Sequence, residues 1–160
     1  MENTYSWYRT PIGFVTIAAD DGSVTRVQFG CVEVAGARKA PTRLTTGAAD
    51  ELLEYFAGKR RVFDFPVNPA GTPYQQAVWA ALRTIPYGEH LTAAQLAARM
   101  GTPDSYRAVG AALRANPLAI VIPDHRVLTA AGKPLGTGRD AERRGWLLFF
   151  EETKAGAAGK

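Results

Sequence analysis

Asp124, His125 and Arg126 stand in a row after Pro123, at the end of an apolar run from Leu118 to Ile122. An aspartate carboxylate has an unperturbed pKa near ~3.9, so it is ionised at neutral pH without help from a base. It is a weak nucleophile toward an unactivated alkyl ether. Carboxylate nucleophiles nevertheless work in enzymes whose leaving group is activated. Metal chemistry is not expected, because the chain holds one cysteine, Cys31, and two histidines, His90 and His125. That inventory makes a structural zinc site improbable, and a lone cysteine closes no intrachain disulfide. No cofactor is expected.

A second pattern could carry binding. Thr92-x-x-Gln95 is a capping box that opens a short helix with Leu96 and Met100 inside and Gly101 at its end. Gly101-Thr102-Pro103-Asp104 leads into another helix, Ser105 to Ala115. Two short helices joined in this way form a helix-turn-helix pattern. On the second helix Ala108, Gly110, Ala111 and Ala112 offer a face of small residues. Such a face can lie close to a nucleic-acid backbone, or it can pack tightly on another helix.

The elements around these patterns read as α+β. Tyr5–Arg9, Phe14–Ala19 and Val24–Phe29 alternate like strands separated by turns, and Val62–Pro66 alternates like a last edge strand. Val32–Leu44 reads as a loop. Thr46–Phe56 reads as a helix with Leu52, Leu53 and Phe56 on its inner face. After the linker Asn68–Pro73 the chain turns helical, with Val78, Trp79 and Leu82 on one side of Pro73–Arg83. The expected organisation is a small antiparallel-sheet module over residues 1–69, a helical domain over 70–153 and a disordered tail over 154–160.

Apolar residues make up 46% and charged residues 21%, the balance of a soluble globular protein. No apolar run is long enough to span a bilayer. The start, Met1–Ser6, lacks a basic region followed by an apolar core, so a cytoplasmic protein with no membrane partner is expected. The net charge of +4 falls entirely on residues 71–160, residues 1–70 being neutral. A basic second half fits a phosphate-binding surface, although the same charge also serves plain solubility.

The motifs together resemble the O6-alkylguanine-DNA alkyltransferases. Gly71-Thr72-Pro73-Tyr74-Gln75, Val78-Trp79, Ile85-Pro86-Tyr87-Gly88, Gln95-Leu96-Ala97, Arg107-Ala108-Val109-Gly110, Asn116-Pro117 and Ile122-Pro123-X-His125-Arg126-Val127 follow in order at that family's spacing, closed by Trp146-Leu147-Leu148 and Glu151. The β-rich first half is similar to the family's ribonuclease H-like N-terminal module. The resemblance implies that the helix-turn-helix enters the minor groove of double-stranded DNA, with contacts from Thr92, Ala108, Ala111 and Arg114. It implies that Arg107 takes the place of a flipped-out base, a role a planar guanidinium can fill. It further implies that Asn116 ties the helices to the active-site strand, that Glu151 orients His125 as a base, and that Arg126 is structural.

Three positions depart from the family pattern. X is Asp124, where the resemblance calls for the cysteine that accepts the alkyl group. Ala93 follows Thr92 where a tyrosine is usual. Thr137-Gly138, followed by Arg139-Asp140, replaces an aromatic pocket wall. An acceptor at the pocket floor would oppose guanine O6 and suit the amino group of cytosine or adenine. These changes lead to the expectation of a non-catalytic, alkyltransferase-like protein: a monomer that recognises damaged or flipped bases and hands them to nucleotide excision repair. The alternative is a divergent enzyme that uses Asp124, His125 and Glu151 on a small molecule or alkylated substrate.

Overall fold

The computed structural model describes residues 3–158. The chain divides at residue 70 into two compact units, with residues 117–121 returning to the first. In the first unit, β1 (Thr4–Thr10), β2 (Gly13–Ala19) and β3 (Val24–Phe29) form an antiparallel meander. A short β4 (Arg38–Lys39) joins the outer edge of β1 in parallel, so the sheet is mixed and has the order β3-β2-β1-β4. β4 lies inside the segment expected as a loop. Its two-residue length leaves no alternation to read.

Helix α1 (Arg43–Phe56) covers this sheet and begins three residues before the expected start. The reason is a reciprocal cap. The Thr42 hydroxyl accepts from the Thr45 backbone, and the Thr45 hydroxyl accepts from the Thr42 backbone. Threonine in the place usual for Glu or Gln hides that signature. Leu52 and Phe56 are buried as expected, but Leu53 is 47% exposed, and Ala48, Ala49 and Tyr55 complete the inner face instead. Val62–Pro66 is not a strand. The Asp64 amide donates to the Glu51 carboxylate at 2.8 Å, and Arg60 bonds the Val62 carbonyl and the Asp64 carboxylate, so local side chains take the place of sheet partners. At the end of this run the chain does reach the sheet: the Pro66 carbonyl accepts from the Val24 amide at 2.8 Å, and Val67 bridges to Val24.

In the second unit, α2 (Pro73–Leu82) starts at Pro73 behind a Thr72–Gln75 capping box and buries Val78, Trp79 and Leu82. The Trp79 indole donates to the Ala112 carbonyl at 2.9 Å, which fixes α2 against α4 (Tyr106–Arg114). Between them β5 (Leu91–Thr92) pairs in parallel with β6 (Val127–Leu128). Thr92 then caps α3 (Ala93–Arg99), with the expected reciprocal bonds to Gln95. A single 3-10 turn, Pro103–Ser105, separates α3 from α4. Helix α5 (Gly138–Ala158) closes the unit. It carries helix through Lys154–Ala158, where a disordered tail was expected; Gly159 and Lys160 lie outside the described residues. Gly88 brings the turn after α2 against α5: its φ is 83°, and a Cβ there would lie 2.6 Å from that of Ala155. Among the described residues, no helix is long and apolar enough to cross a membrane.

Trp79 is 2% exposed, so replacing it tests the second unit's core directly. Trp79→Phe leaves the Ala112 carbonyl without its donor and should cost about 1–3 kcal/mol. Urea denaturation should show a lower midpoint with an unchanged slope.

Candidate active site

The segment leading to Asp124 is irregular rather than a strand. Residues 117–121 pair briefly with β3, where the Val27 amide donates to the Pro117 carbonyl and the Ala119 amide donates to the Val27 carbonyl. Ile120 adopts φ 72°, the one left-handed non-glycine among the described residues. For a β-branched side chain this conformation costs on the order of 1–3 kcal/mol. Its side chain is nonetheless buried. Asp124–Arg126 then forms a 3-10 turn, with the Arg126 amide donating to the Pro123 carbonyl, before β6 restores extended backbone.

This turn places three charged or titratable side chains in the core. Asp124 is 7% exposed, His125 1% and Arg126 8%, with Glu151 of α5 at 0%. Two connected sets of bonds hold them. In one, Glu151 Oε2 meets His125 Nε2 at 2.7 Å and also accepts from Arg126 Nη2, while Oε1 accepts from Arg126 Nε at 2.7 Å. Arg126 Nη1 donates to the Ile85 carbonyl. In the other, Asp124 Oδ2 accepts from Asn116 Nδ2 at 3.0 Å, and Oδ1 accepts from Arg144 Nε at 3.2 Å. Asn116 Nδ2 also reaches the Ile122 carbonyl, and Arg144 Nη1 reaches the Leu135 carbonyl.

Charge explains why both carboxylates tolerate burial. Burial alone would push the Glu151 carboxyl up. The hydrogen bonds and positive charge of His125 and Arg126 outweigh it and bring Glu151 from 4.5 down to about 2. An ionised Glu151 only accepts hydrogen bonds, so His125 Nε2 is the donor in that contact. His125 Nδ1 is the one buried side-chain nitrogen or oxygen among the described residues with no hydrogen-bond partner. Arg144 sets a guanidinium against the Asp124 carboxylate at 3.2 Å. The acceptor expected at this position therefore already holds one side-chain donor on each oxygen.

The structure distributes the other candidate residues as follows. Pro123 is buried at the head of the turn, and Thr92 is half-buried as the cap of α3. Arg107, Ala108, Ala111 and Arg114 share the exposed face of α4, whereas Gly110 and Ala112 turn inward with Val109 and Leu113. The small-residue face is therefore narrower than expected and is flanked by two arginines. Thr137 and Gly138 are exposed at the start of α5. Sequence reasoning missed Arg144. Its signal was a buried carboxylate in need of a cation, with Arg143 and Arg144 one turn before Trp146. No group of three or more metal-ligating residues occurs among the described residues.

Two family models match the chain: the 6-O-methylguanine DNA methyltransferase ribonuclease-like domain over residues 3–69, and the DNA binding domain of the same enzymes over residues 73–153. A methylated-DNA–protein-cysteine methyltransferase of Mycolicibacterium paratuberculosis is 39% identical over 94% of this chain and 95% of its own. The constitutive one of Bacillus subtilis is 38% identical over 93% and 95%. Among solved structures, the O6-methylguanine methyltransferase of Mycobacterium tuberculosis matches with a TM-score of 0.88 at 37% identity, covering 95% of this chain and 94% of that one. The same organism's OGT in complex with DNA gives 0.87 at 38% identity, with 94% of each chain covered. The chain belongs to the 6-O-methylguanine DNA methyltransferase family.

These matches overturn the expectation of a non-catalytic, alkyltransferase-like protein. Both domains are present, and relatives alike over more than nine-tenths of their length are named for alkyl transfer.

Removing the Glu151 charge should expose the network's role in stability. Glu151→Gln leaves Arg126 without its counter-charge and should cost about 3–5 kcal/mol at neutral pH. Folding favours ionised Glu151, so its contribution is complete above 4.5 and is lost as the pH falls through about 2. The stability gap between wild type and variant should accordingly narrow over that window in urea titrations.

Proposed function

We propose that this chain is a DNA-repair protein that removes alkyl groups from guanine O6 in double-stranded DNA, with Asp124 as the accepting side chain. The observation that carries this reading is the seat of Asp124. It lies in the core next to the His125–Glu151 pair, on the turn where the family resemblance places the acceptor, in a chain similar to methyltransferases over nearly its whole length. Each Asp124 oxygen shows one bond to a side-chain donor, and a carboxylate oxygen has two lone pairs. The remaining lone pairs are available for attack on the alkyl carbon. A carboxylate–carbon bond forms, the bond from that carbon to guanine O6 breaks, and guanine leaves with the electron pair and takes a proton from water. Asp124 needs no base for this step. Its nucleophilicity is well below that of a thiolate, so the transfer is slow.

DNA is engaged by α4. Arg107 and Arg114 flank Ala108 and Ala111 on its exposed face, which suits close approach to a phosphate backbone. In this reading α3 and α4 act as a helix-turn-helix in the minor groove, Arg107 fills the space of the extruded nucleotide, and the protein works as a monomer. Thr92 keeps a hydroxyl at the cap of α3.

Incubating the full chain with a duplex containing O6-methylguanine should convert the lesion to guanine slowly. Asp124→Ala should abolish conversion, and Asp124→Cys should accelerate it. Conversion that is unchanged in Asp124→Ala sinks the reading. Separately, duplex affinity should fall with rising salt, and Arg107→Ala should weaken binding with a salt slope shallower by at most about one ion. Binding insensitive to both would remove α4 from the interface.

A further inference from the structure

A thioether formed on a cysteine is chemically inert, whereas an alkyl group on a carboxylate is an ester that water can cleave. Building on the alkyl-transfer reading above, we propose that this protein regenerates itself: the Asp124 alkyl ester is hydrolysed within the site, which makes the chain a multiple-turnover DNA dealkylase.

Three features of the site fit ester hydrolysis and are not needed for the transfer step. First, an ionised Asp124 requires no base to attack, yet His125 is held by Glu151 through Nε2, with Nδ1 buried and without a hydrogen-bond partner. A neutral imidazole held in this way can take a proton from water at Nδ1. Second, Arg144 donates to Asp124 Oδ1, and its position is fixed by a second bond to the Leu135 carbonyl. Pairing with a guanidinium makes Oδ1 the poorer nucleophile, so the alkyl group goes to Oδ2, which accepts from the neutral Asn116 amide. Oδ1 then becomes the ester carbonyl oxygen with a cationic donor already in place. The third feature is the burial that keeps this donor effective: Asp124 is 7% exposed, and a guanidinium in such a site stabilises the negative charge that develops on the carbonyl oxygen of a tetrahedral intermediate.

The step balances without an outside reactant other than water. Water, giving a proton to His125 Nδ1, adds to the Asp124 carboxyl carbon, and the oxyanion forms on Oδ1 beside Arg144. Collapse breaks the bond between the carboxyl carbon and Oδ2. The alkoxide leaves with the proton from His125 as an alcohol, which is methanol for a methyl lesion. Asp124 returns as a carboxylate carrying one oxygen from water, and its carboxylic proton passes to solvent.

The test uses the full chain with a molar excess of duplex carrying radiolabelled O6-methylguanine, in oxygen-18 water. The expected result is more than one methyl group released per chain as methanol, with oxygen-18 accumulating in the Asp124 peptide. His125→Asn should stop at one methyl per chain and hold the ester on Asp124. If that variant fails to fold, the isotope pattern of the wild type still decides. Wild-type label that halts at one equivalent on Asp124 overturns turnover and leaves the alkyl-transfer reading standing. Oxygen-18 found in methanol and absent from Asp124 overturns attack at the carboxyl carbon. Label that never leaves the DNA overturns the transfer reading itself, and turnover with it.

Discussion

A single carboxylate organises the second unit. Glu151 is fully buried on α5, and it survives there only because His125 and Arg126 surround it with donors and positive charge. The dependence is mutual. Arg126 in the core needs an anion, and it also closes the end of the turn after α2 through the Ile85 carbonyl. Buried pairs of this kind add little net stability relative to an apolar core, but breaking one is expensive. The network therefore acts chiefly on specificity of structure: it ties α5, the Asp124–Arg126 turn and the segment following α2 into one arrangement. The backbone of Asp124 is set by that arrangement, and its side chain is oriented by Asn116 and Arg144.

The second network solves a different problem. A carboxylate at 7% exposure without a cation would carry a heavy desolvation penalty. Arg144, reaching from α5, supplies the charge, and Asn116 supplies a neutral donor on the opposite oxygen. The result is asymmetric, with one oxygen charge-paired and the other amide-bonded. The proposed chemistry rests on that asymmetry: the amide-bonded oxygen takes the alkyl group, and the charge-paired oxygen becomes the ester carbonyl.

Much of this was legible in the sequence, and the misses have physical causes. Capping boxes at Thr72 and Thr92 announce their helices because Gln stands at the third position, while Thr42 hides its cap behind a second threonine. Val62–Pro66 has the alternation of a strand, but Arg60, Glu51 and Asp64 satisfy its backbone locally, and alternation alone cannot foresee that. The exposed face of α4 was misjudged at Gly110 and Ala112 because small residues suit both a buried contact and an exposed one, so residue size does not reveal direction. The order of motifs from Gly71 to Glu151 gave the family and placed Asp124, His125 and Glu151 together. It could not give Arg144, whose partner is twenty residues away across a loop. The inference of a catalytically silent protein came from treating loss of a thiol as loss of function. The proposed transfer instead uses the buried carboxylate that Asn116 and Arg144 hold.

The most direct test is chemical identification of the acceptor. The full chain, mixed with O6-methylguanine duplex and quenched in acid at short times, should yield an Asp124 peptide heavier by one methyl group and labile to mild base. A methyl group found on Cys31, or restored guanine with no ester at Asp124 at any time, would contradict the account.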